Sequence, residues 1–97
     1  MTTVNKTEEF DKWLKGLRDT KARAKVLTRL QRLETGNPGD VGPVGEGVSE
    51  MRIDYGPGYR VYYKTKGDTA TALIGGDKGS QAADIGKAKK LANELED

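Results

Sequence analysis

Residues 49–63, SEMRIDYGPGYRVYY, constrain the fold more than any other stretch of this chain. Charged and aromatic residues alternate with apolar ones on both sides of a Gly-Pro-Gly turn. Alternation with period two is the pattern of a half-buried strand. Two strands joined by that turn place Ser49, Met51, Ile53, Tyr59, Val61 and Tyr63 on one face. The other face carries Glu50, Arg52, Asp54, Arg60, Tyr62 and Lys64. So dense a polar row on a small sheet either holds a phosphate or binds a partner.

The flanking sequence supplies helices. Thr7 suits an N-cap, and Glu8 and Glu9 follow in the first turn, where acids complement the helix dipole. Phe10, Trp13, Leu14 and Leu17 recur at helical spacing. Asp19-Thr20 reads as a break and a new cap. A second helix over about 21–35 has the apolar stripe Ala22, Val26, Leu30 and Leu33, and Gly36 suits its C-terminal end. Its opposite side holds Lys21, Lys25, Arg29 and Arg32. That stripe is either a solvated face or an electrostatic platform for RNA or an acidic partner.

Residues 2–6 predict a short edge strand, and 36–47 reads as turn and loop. Gly67-Asp68 makes a tight turn into a third strand of the meander, Thr69–Ile74. The loop Gly75-Gly76-Asp77-Lys78 follows. Ser80 is expected to cap a final helix, about 81–95, with Ile85, Ala88, Leu91 and Leu95 on its apolar face. The order β–α–α–β–β–β–α predicts one α+β domain over residues 1–97. Its helices would cover one face of a small antiparallel sheet and leave the polar row on the other.

Composition narrows the chemistry. With 97 residues, 34% hydrophobic and 33% charged, the chain supports one small domain with a modest core. Such a domain hides only about 60–70% of the surface its unfolded chain exposes. There is no cysteine and no histidine, which removes thiolate chemistry, the usual general base and the commonest metal ligand. Catalysis would rest on Lys, Arg, Tyr, Asp or Glu. No cofactor or metal site is legible, and Gly75-Gly76 is too short for a nucleotide-binding loop. The net charge of +2 is uneven: residues 1–33 hold nine basic against four acidic residues, residues 34–60 two against five, and residues 61–97 six against six. The polar start MTTVNKTEEF, and the lack of any run near the roughly 18 apolar residues of a span, lead us to expect a cytoplasmic protein with no membrane partner.

Taken in order, several short motifs resemble the RelE/ParE toxin superfamily of bacterial toxin–antitoxin modules, and most of all its HigB-like, addiction-module-killer branch. They are Thr7-Glu8-Glu9-Phe10-Asp11-Lys12-Trp13-Leu14, the basic helix, and Gly36-Asn37-Pro38-Gly39-Asp40. Then come Gly45-Glu46-Gly47-Val48-Ser49-Glu50-Met51-Arg52-Ile53, Gly56-Pro57-Gly58-Tyr59-Arg60-Val61-Tyr62-Tyr63, Gly75-Gly76-Asp77-Lys78-Gly79-Ser80-Gln81 and Asp84-Ile85. The specificity lies in the ordered set over nearly the whole chain. The resemblance implies a helical hairpin and a C-terminal helix packed on a twisted antiparallel sheet. It implies an mRNA interferase, an endoribonuclease that cuts mRNA on the ribosome and stops translation and growth. It also implies a cognate HigA-like helix-turn-helix antitoxin, through which alone the toxin reaches operator DNA. The apolar faces of the first two helices and the basic stripe are candidate antitoxin surfaces.

Metal-free RNA cleavage needs a base for the 2′-OH, cations for the charged phosphorane and an acid for the leaving 5′-oxygen. Arg52, Arg60 and Lys78 match basic positions of the superfamily. The resemblance assigns Arg60 to the scissile phosphate, Arg52 to its support, and Lys78 to the role of cation or acid. Tyr62, the fourth candidate catalytic residue, stacks on a base or donates a hydrogen bond unless it only packs, and Lys64 extends the row toward the RNA backbone. Lys21, Lys25, Arg29 and Arg32 are the further RNA contacts. Glu50 and Asp77 are the possible bases, unless Glu50 forms cross-strand ion pairs with the arginines and Asp77 caps a turn. The chain departs from the ribonuclease members in its C-terminal Asn93-Glu94-Leu95-Glu96-Asp97, which has no His or aromatic residue. That departure keeps two alternatives open: a ParE-like, non-catalytic gyrase poison, and a relic that serves only to bind its antitoxin.

Overall fold

A computed structural model describes residues 1–95. Glu96 and Asp97, the end of the C-terminal run, lie outside the described residues. The elements are β1 (Thr3–Lys6), α1 (Glu8–Gly16), α2 (Thr20–Glu34), β2 (Val41–Gly45), β3 (Val48–Ile53), β4 (Tyr59–Lys66), β5 (Thr69–Asp77), a short 3-10 turn (Lys78–Ser80) and α3 (Gln81–Glu94). The sheet order is β1-β5-β4-β3-β2. All neighbours are antiparallel except the edge strand β1, which runs parallel to β5. No helix of the described residues is long and apolar enough to cross a membrane.

Local chemistry sets the helix ends. Thr7 Oγ1 accepts from Phe10 N at 2.9 Å to start α1 and donates to the Leu73 carbonyl at 2.6 Å, tying the helix to β5. Asp19 caps α2 by accepting from Lys21 N and Ala22 N. At the far end of α2, Gly36 N and Asn37 N close back onto Leu33 O and Arg32 O.

Two apolar clusters sandwich the sheet. Phe10, Leu14, Val26, Leu30 and Leu33 of α1 and α2 meet Met51, Ile53, Val61 and Tyr63 on one face. On the opposite face Ala88, Leu91 and Ala92 of α3 meet Val48, Tyr62, Leu73 and Ile74. The single-face arrangement of helices expected above is therefore corrected. The helical hairpin and α3 lie on opposite sides, and α3 covers Glu50 and Tyr62 of the polar row. Between Tyr62 and Tyr63 the β4–β5 register slips, so that Tyr62 faces Ile74 while Tyr63 faces Ala72. The slip leaves Leu73 as an extra residue, and both Leu73 and Ile74 enter the α3 cluster.

Other differences have local causes. The Gly- and Pro-rich segment read as loop contains β2. It is an edge strand, where Pro43 costs no ladder hydrogen bond to a neighbour on its outer side. β5 runs on through Gly75, Gly76 and Asp77. These glycines allow both helical layers to approach one strand. A Cβ on Gly75 would overlap the Trp13 ring of α1, and a Cβ on Gly76 would overlap the Asp84 carboxylate of α3. Gly75→Ala is expected to cost about 1–3 kcal/mol through overpacking. That is a drop in melting temperature of several degrees, measurable by calorimetry; an unchanged midpoint would mean that Trp13 is not held there.

Candidate functional site

The strand pairing brings the polar row together as the alternation demands. In the β3–β4 ladder Glu50 faces Tyr62 and Arg52 faces Arg60. Glu50 is 2% exposed and forms the hub. Its Oε2 accepts from Gln81 Nε2 at 2.6 Å and from Tyr62 Oη at 3.2 Å, and Arg52 Nε lies 3.2 Å from Oε1. Arg60 Nε stands 3.8 Å from Oε2, too far for a hydrogen bond, so it is a buried donor without an acceptor. Among the described residues its one other partner is its neighbour's carbonyl, Tyr59 O, at 3.5 Å.

Beyond the end of α3 the row opens into a pocket of about 410 Å³. Arg52, Arg60, Lys78, Asp40, Asp54 and the turn 56–58 line it. Gly58 brings that turn against the cations: a Cβ there would lie 3.4 Å from Lys78 Cβ and 3.6 Å from Arg60 Nη1. Lys78 is exposed, and among the described residues it forms no ion pair. Arg52 is engaged by Glu50 at Nε and by Asp40 Oδ1 at Nη1, 2.8 Å away, and a Cβ on Gly42 would displace its Nη2.

Several expected roles change with this placement. Tyr62 is fully buried beneath α3, so it packs and cannot offer a face for a base to stack on. Its phenol pKa is pushed well up, first by burial and then by the Glu50 charge, which keeps it a proton donor to Glu50. Asp77 accepts from Gly79 N at 2.8 Å and Ser80 N at 3.3 Å, and so caps the 3-10 turn. Ser80 does not cap α3 by its side chain; its hydroxyl instead donates to Asp84 Oδ2 at 2.5 Å. Lys64 lies on the row opposite Val48, away from the pocket and beside Leu95.

The basic stripe on α2 is only partly an open platform. Arg29 reaches across to β3, donating to the carbonyls of Arg52, Pro38 and Asp40. Burial, and then the charge of Arg32, pull its pKa below the ordinary arginine value. Lys25 Nζ sits 5.2 Å over the Tyr55 ring, while Lys21 and Arg32 are exposed. The apolar faces of α1 and α2 proposed as antitoxin surfaces are buried in the core, leaving Leu27 of that hairpin as an exposed large apolar residue.

Three participants escaped the sequence reading. Gln81 reaches Glu50 from 31 residues away. Asp40 reaches Arg52 because β2 pairs with β3. Tyr55 Oη donates to Asp19 Oδ2 at 2.9 Å, linking the pocket's turn to the start of α2. That bond is the main reason the Asp19 carboxyl lies below and the Tyr55 phenol above its ordinary value. None leaves a periodic signal, because each is a contact between segments far apart in sequence.

A two-helix hairpin on a mostly antiparallel sheet, with a third helix behind, matches the fold of RelE/ParE-type toxins. A copper-bound mutant toxin from Helicobacter pylori superposes with a TM-score of 0.63 at 18% identity, covering 82% of this chain and 98% of that one. A chain of the chromosomal ParDE toxin–antitoxin system of P. aeruginosa also gives 0.63 at 18% identity, over 79% and 96% of the two chains. A conserved hypothetical protein from Helicobacter pylori gives 0.56 at 22%, over 81% and 97%. No protein-family profile matches the sequence. The chain is 46% identical over 93 residues to an uncharacterized protein of Haemophilus influenzae, covering 95% of this chain and 94% of that one, and it belongs to that protein's family.

Proposed function

We propose that this chain is the toxin of a toxin–antitoxin pair and acts as a ribosome-dependent mRNA endoribonuclease, neutralised by a cognate HigA-like antitoxin. One observation carries the reading: Arg60 lines the pocket with its side chain 14% exposed and Nη1 beside the Gly58 turn, and among the described residues its only hydrogen bond is one of 3.5 Å from Nη1 to Tyr59 O. An arginine fork with unused donors is suited to two phosphate oxygens. Lys78 at the rim supplies the second cation, or the acid for the leaving oxygen, and Arg52 steadies the guanidinium layer. The exposed Lys21 and Arg32 provide screened, longer-range attraction for RNA.

A second reading, a ParE-like gyrase poison without catalysis, is favoured by the state of the carboxylates. Glu50 is committed to four partners and Asp77 to its cap, so neither is placed to take a 2′-OH proton. Tightly controlled expression in bacteria with mapping of mRNA 5′ ends separates the two. The endonuclease predicts new ends inside translated codons. Growth arrest with no new ends, together with gyrase-linked DNA breaks, transfers the function to the second reading.

A further inference from the structure

Arg52 lines the pocket with its side chain 37% exposed, and Asp40 pairs with it there. The Arg52 Nε lies 3.2 Å from Glu50 Oε1 and its Nη2 lies close to Gly42, which leaves Nη1. There it meets Asp40 Oδ1 at 2.8 Å. Glu50 is 3% exposed at its side chain and locked, whereas the Asp40 side chain is 67% exposed. Asp40 is nonetheless well aimed. Its carbonyl accepts from Arg52 N at 2.9 Å and from Arg29 Nη2 at 3.1 Å, which fixes the backbone beneath the carboxylate.

We propose that Asp40 is a displaceable internal stand-in for an RNA phosphate. It fills the anion position on Arg52 while the pocket is empty and is pushed off when a phosphodiester spans Arg52 and Arg60. The inference rests on the phosphate-binding role given to this pocket above. Its physical basis is an asymmetry. An exposed ion pair is weak and yields readily to a competing anion, while the buried Glu50 contact keeps the guanidinium oriented throughout. Asp40 thus acts as a specificity-determining residue: it raises the threshold for lone small anions and favours a ligand that engages Arg60 and Lys78 at the same time.

The test is fluorescence anisotropy with a labelled 2′-O-methyl oligoribonucleotide, which binds but is not cut at the 2′ position. Wild type, Asp40→Asn, Asp54→Asn, Arg60→Ala and the double variant Asp40→Asn/Arg52→Gln are compared, each with its melting temperature recorded. Asp40→Asn is expected to tighten binding roughly three- to tenfold at low salt, with the gain shrinking as salt rises. The gain should exceed that of Asp54→Asn, which removes a pocket charge that forms no ion pair with Arg52, and it should vanish in the double variant. Equal gains from Asp40→Asn and Asp54→Asn would overturn the proposal in favour of bulk charge. Arg60-dependent binding with no gain from Asp40→Asn would overturn it while leaving the pocket's role intact. Binding by folded wild type that is no stronger than that of Arg60→Ala would remove the phosphate reading and the proposal together.

Discussion

Glu50→Ala is expected to destabilise the fold by about 3 kcal/mol, because truncating one member of a buried ionic hub strands the others. Four groups converge on this carboxylate, from β3, from β4 and from the first turn of α3. Removing it leaves the Tyr62 hydroxyl and the Gln81 amide without their acceptor beneath α3, and leaves Arg60 without an ion pair among the described residues. Arg52 would keep Asp40. Glu50→Gln is expected to cost less, since it retains one acceptor oxygen while placing an amide donor against either Arg52 or the Tyr62–Gln81 pair. Urea denaturation followed by the single tryptophan, Trp13, reads the difference. A loss below about 1 kcal/mol for Glu50→Ala would show that the hub contributes little net stability, as is known for some buried ion networks.

Arg60→Ala should do the opposite: abolish function with little effect on stability. If Arg60 stabilises the charged transition state, its loss should lower cleavage by about 10²–10³-fold, the magnitude found when one oxyanion donor is removed. The fold has little to lose, because the side chain makes only a 3.5 Å bond to Tyr59 O and a 3.8 Å approach to Glu50. Removing it also relieves a buried donor that has no acceptor. Growth arrest should therefore disappear while the melting temperature stays within a few degrees of wild type. Undiminished arrest by a folded Arg60→Ala protein would take Arg60 out of the site. Loss of both arrest and folding would assign it a structural role instead.

These two expectations separate residues that sequence reading had grouped in one polar row. The row itself was legible: period-two alternation around Gly56-Pro57-Gly58 placed Glu50, Arg52, Arg60 and Tyr62 on one face, and the ladder pairs them so. The helical stripes were legible for the same reason. Ala22, Val26, Leu30 and Leu33 repeat at the helical period and are all buried. Periodicity reports which side of an element faces apolar neighbours; it does not report which other element arrives there.

The chain by itself therefore determined its helices, every strand but β2, most of their inner faces and the placement of its cations on one sheet surface, since these follow from local spacing. Only tertiary structure decided that α3 crosses to that surface, buries Tyr62 and commits Glu50 through Gln81, while Arg60 and Lys78 remain beside an open pocket. Those outcomes depend on which distant segments meet. The Gly75-Gly76 pair lets a helix approach β5 on each side, and the pairing of β2 with β3 carries Asp40 to Arg52. Contacts of that kind have no period for a sequence to display.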